Sequence, residues 1–195
     1  INYRTDKLYY TMYVNTGSSA RVPSLSQQLI RITAPIPADI QQNIKSEQKQ
    51  MSEIGLSVSA PDKKSPLFLF RNLSLSLFSY QYQNKIRLIP YAGGIHHLFD
   101  NHQKASNRGY EASVEIAIFR DYLSLNLSSA RFYFSDPLAF PLKPSAKETA
   151  ILRYRAGILK GEFICFRESE KLGLIAAPDA GFSKLTFSEV KIDNY

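Results

Sequence analysis

The chain has 195 residues, of which 44% are hydrophobic and 21% are charged. This composition can build a hydrophobic core, so a disordered tail is excluded. Glycine at 9 positions is far below the one residue in about three that a collagen-like fibre needs. The single cysteine, Cys165, excludes an intramolecular disulfide and a zinc site made of thiolates.

The charge balance of 24 Lys and Arg against 17 Asp and Glu gives a net charge of +7, which attracts polyanions in a general way. At most two basic residues are adjacent, as at Lys63 and Lys64, so a nucleic-acid partner is disfavoured. The longest uncharged apolar runs, such as 66–70, are far shorter than the roughly 18–20 residues of a spanning helix. We therefore expect no helical membrane anchor.

Two strands are predicted first, near 7–14 and 26–34, and residues 38–54 then show the pattern of a helix. Pro37 suits a first helical turn, and Gly55 is placed to end the helix. We expect this helix to lie on the surface of a larger body, inside a helix-and-loop insertion at about 35–66. Its apolar residues recur along one narrow stripe, Ile40, Ile44, Met51 and Ile54.

After that insertion the period changes to two, which is typical of β-strands with one buried face. Residues 72–80 alternate Leu with Ser, and the segments 112–119 and 122–128 repeat the alternation on either side of Arg120 and Asp121. We interpret these two segments as a hairpin. Further strands are predicted near 56–60, 85–92, 130–134, 149–156, 161–166, 171–176 and 182–192, with a proline-marked connection at 137–144.

About a dozen short antiparallel strands in one domain, 1–195, can form a two-sheet sandwich or a barrel. The closing segment 172–192 contains a Gly-Leu-x-Ala strand and a Phe-x-x-Val-x-Ile strand. It resembles the closing strands of concanavalin-like jelly-roll domains, and this resemblance implies a sandwich. We therefore favour an all-β, jelly-roll-like sandwich with one peripheral helix near 38–54.

The alternative is an outer-membrane-type β-barrel of about eight strands. Alternating segments with 12 Tyr and 12 Phe are what such a barrel needs. Three features weigh against it: the insertion at 35–66, the absence of tryptophan for interfacial belts, and the shortness of strands such as 161–166.

All three histidines fall within seven residues, in a segment that also carries an aspartate. Imidazole and carboxylate are preferred ligands of zinc and other divalent transition metals. A metal-dependent hydrolase holding zinc or manganese is therefore one hypothesis, and we expect no other cofactor. The more favoured interpretation is an exposed polar loop between strands near 85–92 and 110–119. The candidate metal ligands are His96, His97, Asp100 and His102.

Three tyrosines, Tyr80, Tyr82 and Tyr133, are candidates for exposed rings on a β face, where aromatic side chains stack on sugars or unpaired bases. The alternative is ordinary packing. Since the sequence contains no G-x-S-x-G elbow, P-loop or dinucleotide fingerprint, binding is favoured over catalysis. We predict a non-catalytic binding or structural β-domain whose partner is a carbohydrate or a protein surface.

Overall fold

The structure is a computed structural model that describes residues 1–5, 8–29, 44–60, 68–90, 97–119, 122–177, 181–187 and 190–194. The strands are β1 (Asn2–Arg4), β2 (Tyr9–Arg21), β3 (Glu47–Ser59), β4 (Phe68–Pro90), β5 (His97–Ile118), β6 (Leu123–Phe134), β7 (Ala146–Ala156), β8 (Leu159–Glu168), β9 (Lys171–Ala177), β10 (Gly181–Phe187) and β11 (Val190–Asn194). A short helix, α1, spans Leu25–Leu29, and a 3₁₀ helix spans Pro137–Ala139. In these described ranges, no helix has both the length and the hydropathy to cross a membrane.

Nine strands form one antiparallel sheet in the order β1-β2-β3-β4-β5-β6-β7-β8-β11. Each strand pairs with its neighbour in sequence, except that β9 and β10 form a separate hairpin between β8 and β11. In the described part of the chain, β1 and β11 are the two edges, so the sheet is not closed. The meander places sequence neighbours side by side along nearly the whole chain.

The prediction of an all-β fold is confirmed, but the two-sheet sandwich is wrong for the described residues. Nine of the eleven strands belong to one sheet, and the remaining two form only a hairpin. The strands are also longer than predicted, since β4 has 23 residues and β5 has 22. Long strands that pair with both sequence neighbours leave no crossover with which to build the facing sheet of a jelly roll.

The helix predicted at 38–54 is also wrong, because β3 occupies Glu47–Ser59 and residues 44–46 are not helical. Residues 38–43 lie outside the described part. Met51 and Ile54, which share the predicted stripe, lie on opposite faces of β3. Hydrogen bonding to β2 and β4 along its length outweighs the small intrinsic helix preference of its Gln, Lys and Glu residues.

Part of the strand predicted at 26–34 is helical instead, as α1, and residues 30–34 lie outside the described part. The hairpin around Arg120 and Asp121 is confirmed by the pairing of β5 with β6. The irregular connection is confirmed as residues 135–145, where the carboxylate of Asp136 accepts a hydrogen bond from the Leu138 amide and caps the 3₁₀ helix.

The connections differ in length between the two ends of the sheet. At one end, here the turn end, strands are joined by residues 5–8, 60–67, 119–122 and 157–158. The tightest of these turns places Gly157 at a φ of 59°, which glycine adopts without steric cost. At the other end, here the loop end, the connections are 22–46, 91–96, 135–145 and 169–189, the last of which contains the β9–β10 hairpin.

Two glycines in the sheet are covered by aromatic rings from the neighbouring strand. Tyr13 lies over Gly55, its directly opposed partner, and its hydroxyl donates to Glu53 Oε1 at 2.7 Å. Phe78 lies over Gly109 in the same way. Each ring fills the space that a side chain at the glycine would take, so register and packing support each other.

We expect Gly109→Ala to destabilise the fold by about 1–3 kcal/mol, because overpacking forces side chains or backbone to shift. A methyl group at Gly109 would overlap the carbonyl oxygen of Arg131 and lie 2.7 Å from Phe78 Cζ. Equilibrium urea unfolding measures the loss. Gly161→Ala is the matched control, since a Cβ there meets no atom within 4 Å; equal midpoints for the two variants would contradict the packing argument.

Candidate functional site

The register of the sheet sorts side chains onto two faces, because directly opposed residues point the same way and successive residues alternate. The leucine face carries Leu73, Leu75 and Leu77 of β4. Across the sheet these residues continue into a band of apolar side chains, here the apolar band. Its further members are Met12, Val14, Ile54, Leu56, Val114, Leu125, Leu127, Leu152 and Phe163.

The apolar band has no cover in the described structure. Val14 is 70% exposed, Leu77 49% and Ile54 47%. Monomeric soluble proteins seldom expose contiguous apolar patches of more than a few hundred Å², and larger ones mark contact with a membrane or a partner. The band crosses seven strands, so the leucine face is a candidate interaction surface.

Tyrosines lie at the margins of the apolar band. Tyr3, Tyr122 and Tyr154 lie at the turn end and are each about half exposed or more. Tyr110 lies at the opposite margin, directly across from Leu77. An aromatic ring with a polar hydroxyl suits a boundary where one side is apolar and the other is wet.

The opposite face, here the serine face, is polar and internally hydrogen-bonded. The hydroxyl groups of Ser74 and Ser113 lie 2.8 Å apart on neighbouring strands. Ser57 donates to Asn72 Oδ1 at 3.2 Å. This hydroxyl-rich part of the serine face is suited to water or to a polar partner.

At the loop end of the serine face, aromatic rings form the main buried apolar cluster of the described residues. Phe140, from the connection 135–145, is 3% exposed. Its ring stacks on Phe134 with centroids 4.9 Å apart and meets Tyr82 edge-on at 5.5 Å. Ala105 and Ala139 complete the cluster, which holds the connection against the sheet.

Lysines surround these rings. Lys49 Nζ lies 4.0 Å from the centroid of the Tyr80 ring, and Lys85 Nζ lies 5.0 Å from that of Tyr82. Desolvation lowers the pKa of Lys143, and the nearby ammonium groups of Lys85, Lys147 and Lys49 lower it further. A lysine with a lowered pKa loses its charge at a lower pH than usual, so the positive charge here weakens at alkaline pH.

We call Lys49, Tyr80, Tyr82, Lys85 and Lys143 the lysine–tyrosine patch. Lys85 is held by the buried carboxylate of Glu47, whose Oε2 accepts from Lys85 Nζ at 3.0 Å and from the Ile86 amide at 2.7 Å. The patch therefore presents ammonium groups beside aromatic faces, with Glu47 paired to Lys85 and the carboxylates of Glu53 and Glu111 near Tyr80.

The structure brings together two of the three tyrosines that the sequence predicts as ligand-binding. Tyr80 and Tyr82 both lie in the lysine–tyrosine patch. Tyr133 is 64% exposed and lies on the leucine face, directly opposite Arg108. Tyr133 therefore cannot share a ligand with the other two.

The predicted metal ligands are not assembled in the described residues. Asp100 Oδ2 accepts from Arg87 Nη2 at 2.7 Å, and His102 Nε2 lies 3.3 Å from Asp136 Oδ2. His96 lies outside the described part, and of His97 only the backbone is described. No group of three His, Cys, Asp or Glu side chains that could hold a metal occurs in the described ranges.

The favoured alternative, an exposed polar loop, is wrong for residues 97–102, which belong to β5. Arg87 also donates to the Leu138 carbonyl at 3.0 Å, so the Arg87–Asp100 pair ties β4, β5 and the connection 135–145 together. Sequence reasoning missed Lys49, Lys85 and Phe140. Lys49 is brought to the tyrosines by strand pairing and Phe140 by a folded-back connection, and no local pattern signals either; Lys85 lies on the same strand as Tyr82.

We expect Phe140→Ala to release the connection 135–145 from the sheet, because deleting a buried Phe side chain costs about 3 kcal/mol or more. Limited proteolysis should cut this connection faster in the variant. Leu142→Ala serves as the control in the same segment, since Leu142 is 47% exposed. Similar cleavage rates in both variants would show that the aromatic cluster does not anchor the connection.

Comparisons with known proteins agree with this geometry. No family model and no curated protein sequence matches the chain. Among solved structures, it is similar to the pyoverdine outer membrane receptor FpvA from Pseudomonas aeruginosa PAO1 bound to pyoverdine, with a TM-score of 0.59 and 14% identity. A second structure, of P. aeruginosa FpvA bound to a heterologous pyoverdine, matches with a TM-score of 0.53 and 15% identity.

The similarity covers 97% of this chain and 27% of the receptor chain in the first structure, and 97% and 25% in the second. The chain therefore spans about a quarter of the length of the receptors that it matches. At this level of identity, the likeness concerns the fold alone.

Proposed function

We propose that this chain forms part of the wall of an outer-membrane β-barrel receptor, with the leucine face toward lipid and the serine face toward the lumen. The observation that carries the proposal is the apolar band, which is continuous, exposed and bordered by tyrosines, while the reverse face of the same strands carries hydrogen-bonded serine and asparagine beside the packed rings of Phe78 and Phe132. Transmembrane barrels have this arrangement of an outward apolar band, aromatic girdles and a polar interior.

The backbone supports the same assignment. In hydrocarbon every backbone amide and carbonyl needs a partner within the protein, and each inner strand of the sheet has a hydrogen-bonded strand on both sides. The edges at β1 and β11 then require further strands, which the rest of a receptor barrel would supply. The match to about a quarter of a receptor is consistent with an arc of such a wall.

The unequal ends support an orientation. Outer-membrane barrels have short periplasmic turns and longer extracellular loops. In this chain the turn end carries connections as short as 157–158, and the loop end carries 22–46 and 169–189. We therefore place the loop end, with the aromatic cluster and the lysine–tyrosine patch, on the extracellular side.

The three features that weighed against a barrel lose their force once the strands are known. The insertion at 35–66 contains β3, which is a full member of the sheet. The strand predicted as 161–166 is the ten-residue β8, within the 9–11 residues that a tilted strand needs to span the bilayer. Tyrosines take the interfacial positions for which tryptophan was expected.

The non-catalytic binding role predicted from the sequence fits this proposal, with a small ligand in place of a carbohydrate or protein surface. The lysine–tyrosine patch faces the proposed lumen at its extracellular end. Ammonium groups beside aromatic faces suit an anionic ligand that carries a ring. The similar receptor is described as bound to pyoverdine, and we propose that this chain likewise contributes to recognition of a small ligand that enters from the loop end.

Leu75→Arg in the full-length protein should weaken folding into phosphatidylcholine vesicles by about 1–3 kcal/mol, because a cation on the lipid face costs about 2–4 kcal/mol at the bilayer centre and less toward the margin of the apolar band. Ser76→Arg is the matched control: the same side chain one residue along β4 faces the proposed lumen and should insert nearly as well as the unmodified chain. Urea titration of vesicle-bound protein, with protease protection as the folding readout, measures both.

Two results would argue against the membrane wall. One is a stably folded, monomeric protein without detergent or lipid. The other is a reversed pattern in which Ser76→Arg is damaging and Leu75→Arg is tolerated, since that would place the leucine face in water.

A further inference from the structure

Beyond the apolar band, the leucine face of β3, β4 and β5 carries a compact set of hydrogen-bond donors, here the donor belt. The glutamines pair across strands, Gln48 with Gln83 and Gln50 with Gln81, and the neighbouring positions on β5 are Lys104 and Arg108. All six side chains are exposed. Together they border a groove of about 600 Å³ that also includes Ser79 and Ser106.

Charges on these strands are sorted by face. The acidic residues at this level, Glu47, Glu53 and Glu111, all lie on the serine face, where Glu47 meets Lys85 and Glu53 meets Tyr13. On the leucine face of β2 and β3, of β4 up to Gln83 and of β5 from Lys104 onward, the described residues include no carboxylate. The donor belt therefore presents two cations and four amides with no acidic side chain to neutralise them.

The excess of positive charge does not extend to the next strands. Glu148 Oε1 lies 2.5 Å from Arg131 Nη2, and Glu148 Oε2 lies 3.8 Å from Arg167 Nη1. These residues and Glu170 border a second groove of about 340 Å³ on the same face, where two basic and two acidic side chains balance. The donor belt is therefore confined to β3, β4 and β5.

The position of the belt matches the depth of lipid headgroups in the proposed orientation. Arg108 lies two residues from Tyr110 in the direction of the loop end, a distance of about 7 Å along the strand. Tyr110 marks the margin of the apolar band, so Arg108 lies just beyond the hydrocarbon, and Lys104 lies about 20 Å from Tyr110 along the same strand, at the outer edge of the belt. Guanidinium and ammonium groups form their strongest hydrogen bonds with phosphate and carboxylate oxygens, and amide donors add neutral hydrogen bonds to the same oxygens.

We propose that the donor belt binds the phosphate groups of phosphorylated lipids in the leaflet around the loop end. This inference rests on the proposed membrane wall and names the lipid chemistry that the wall selects. The sorting of carboxylates to the other face gives the belt its selectivity, since an acidic side chain at this level would repel a phosphate.

The test uses the full-length protein reconstituted into phosphatidylcholine vesicles with or without diphosphoryl lipid A. We expect lipid A to be enriched among the lipids that stay bound to the unmodified protein after the vesicles are dissolved in detergent. Lys104→Gln/Arg108→Gln should reduce this enrichment about tenfold, because each basic side chain near an anionic lipid surface contributes several-fold in affinity. Arg155→Gln/Lys160→Gln is the matched control, since this directly opposed pair removes the same two residue types from the serine face at the turn end.

The outcomes separate the two proposals. Protein that inserts into the vesicles but shows equal lipid A enrichment in both double variants would overturn the donor belt and leave the membrane wall intact. Enrichment that is unchanged when dephosphorylated lipid A replaces the phosphorylated form would also overturn it. Protein that does not insert at all, in any variant, would overturn the wall and the belt together.

Discussion

The cross-strand register is the constraint on which both faces of this sheet depend. Side chains alternate with a period of two, so a slip of one residue in any strand would exchange its leucines for its serines. Rings that lie over Gly55 and Gly109 oppose such a slip, because the register that seats each ring also places the leucines together. Near the start of β4 a bulge between Phe70 and Asn72 keeps Phe70 on the leucine face together with Leu73, although the two are three residues apart.

The alternation of residues 72–80 predicts a strand and a shared face for its leucines, and both are confirmed. It cannot say what covers that face, because a soluble sheet and a membrane wall use the same period and differ only in which side the solvent occupies. The same limit explains β3. Taken alone, the polar residues of β3 have the pattern of an exposed helix surface. Pairing with β2 and β4 makes this segment a strand.

The candidate sites show a similar division between local pattern and long-range contact. Tyr80 and Tyr82 could be chosen from the sequence because exposed alternation marks them. Lys85 is three residues from Tyr82 on the same strand, but Lys49 comes from β3 and Lys143 from the connection 135–145, both far away in sequence. Asp100 and His102 show the reverse case. They lie close together in sequence, but Asp100 pairs with Arg87 and His102 lies beside Asp136. The local sequence does not reveal the elements that supply these two partners.

Strands β4 and β5 are long enough to extend well past the margin of the apolar band. Their pairing continues from Leu77 at the margin of the apolar band to Pro90 opposite His97, a distance of about 40 Å along the strand. That length exceeds the roughly 30 Å of a bilayer's hydrocarbon core. In the proposed orientation, this hydrogen-bonded ladder would carry the paired positions Pro90 and His97 beyond the lipid surface, within reach of particles or antibodies that approach the membrane from outside.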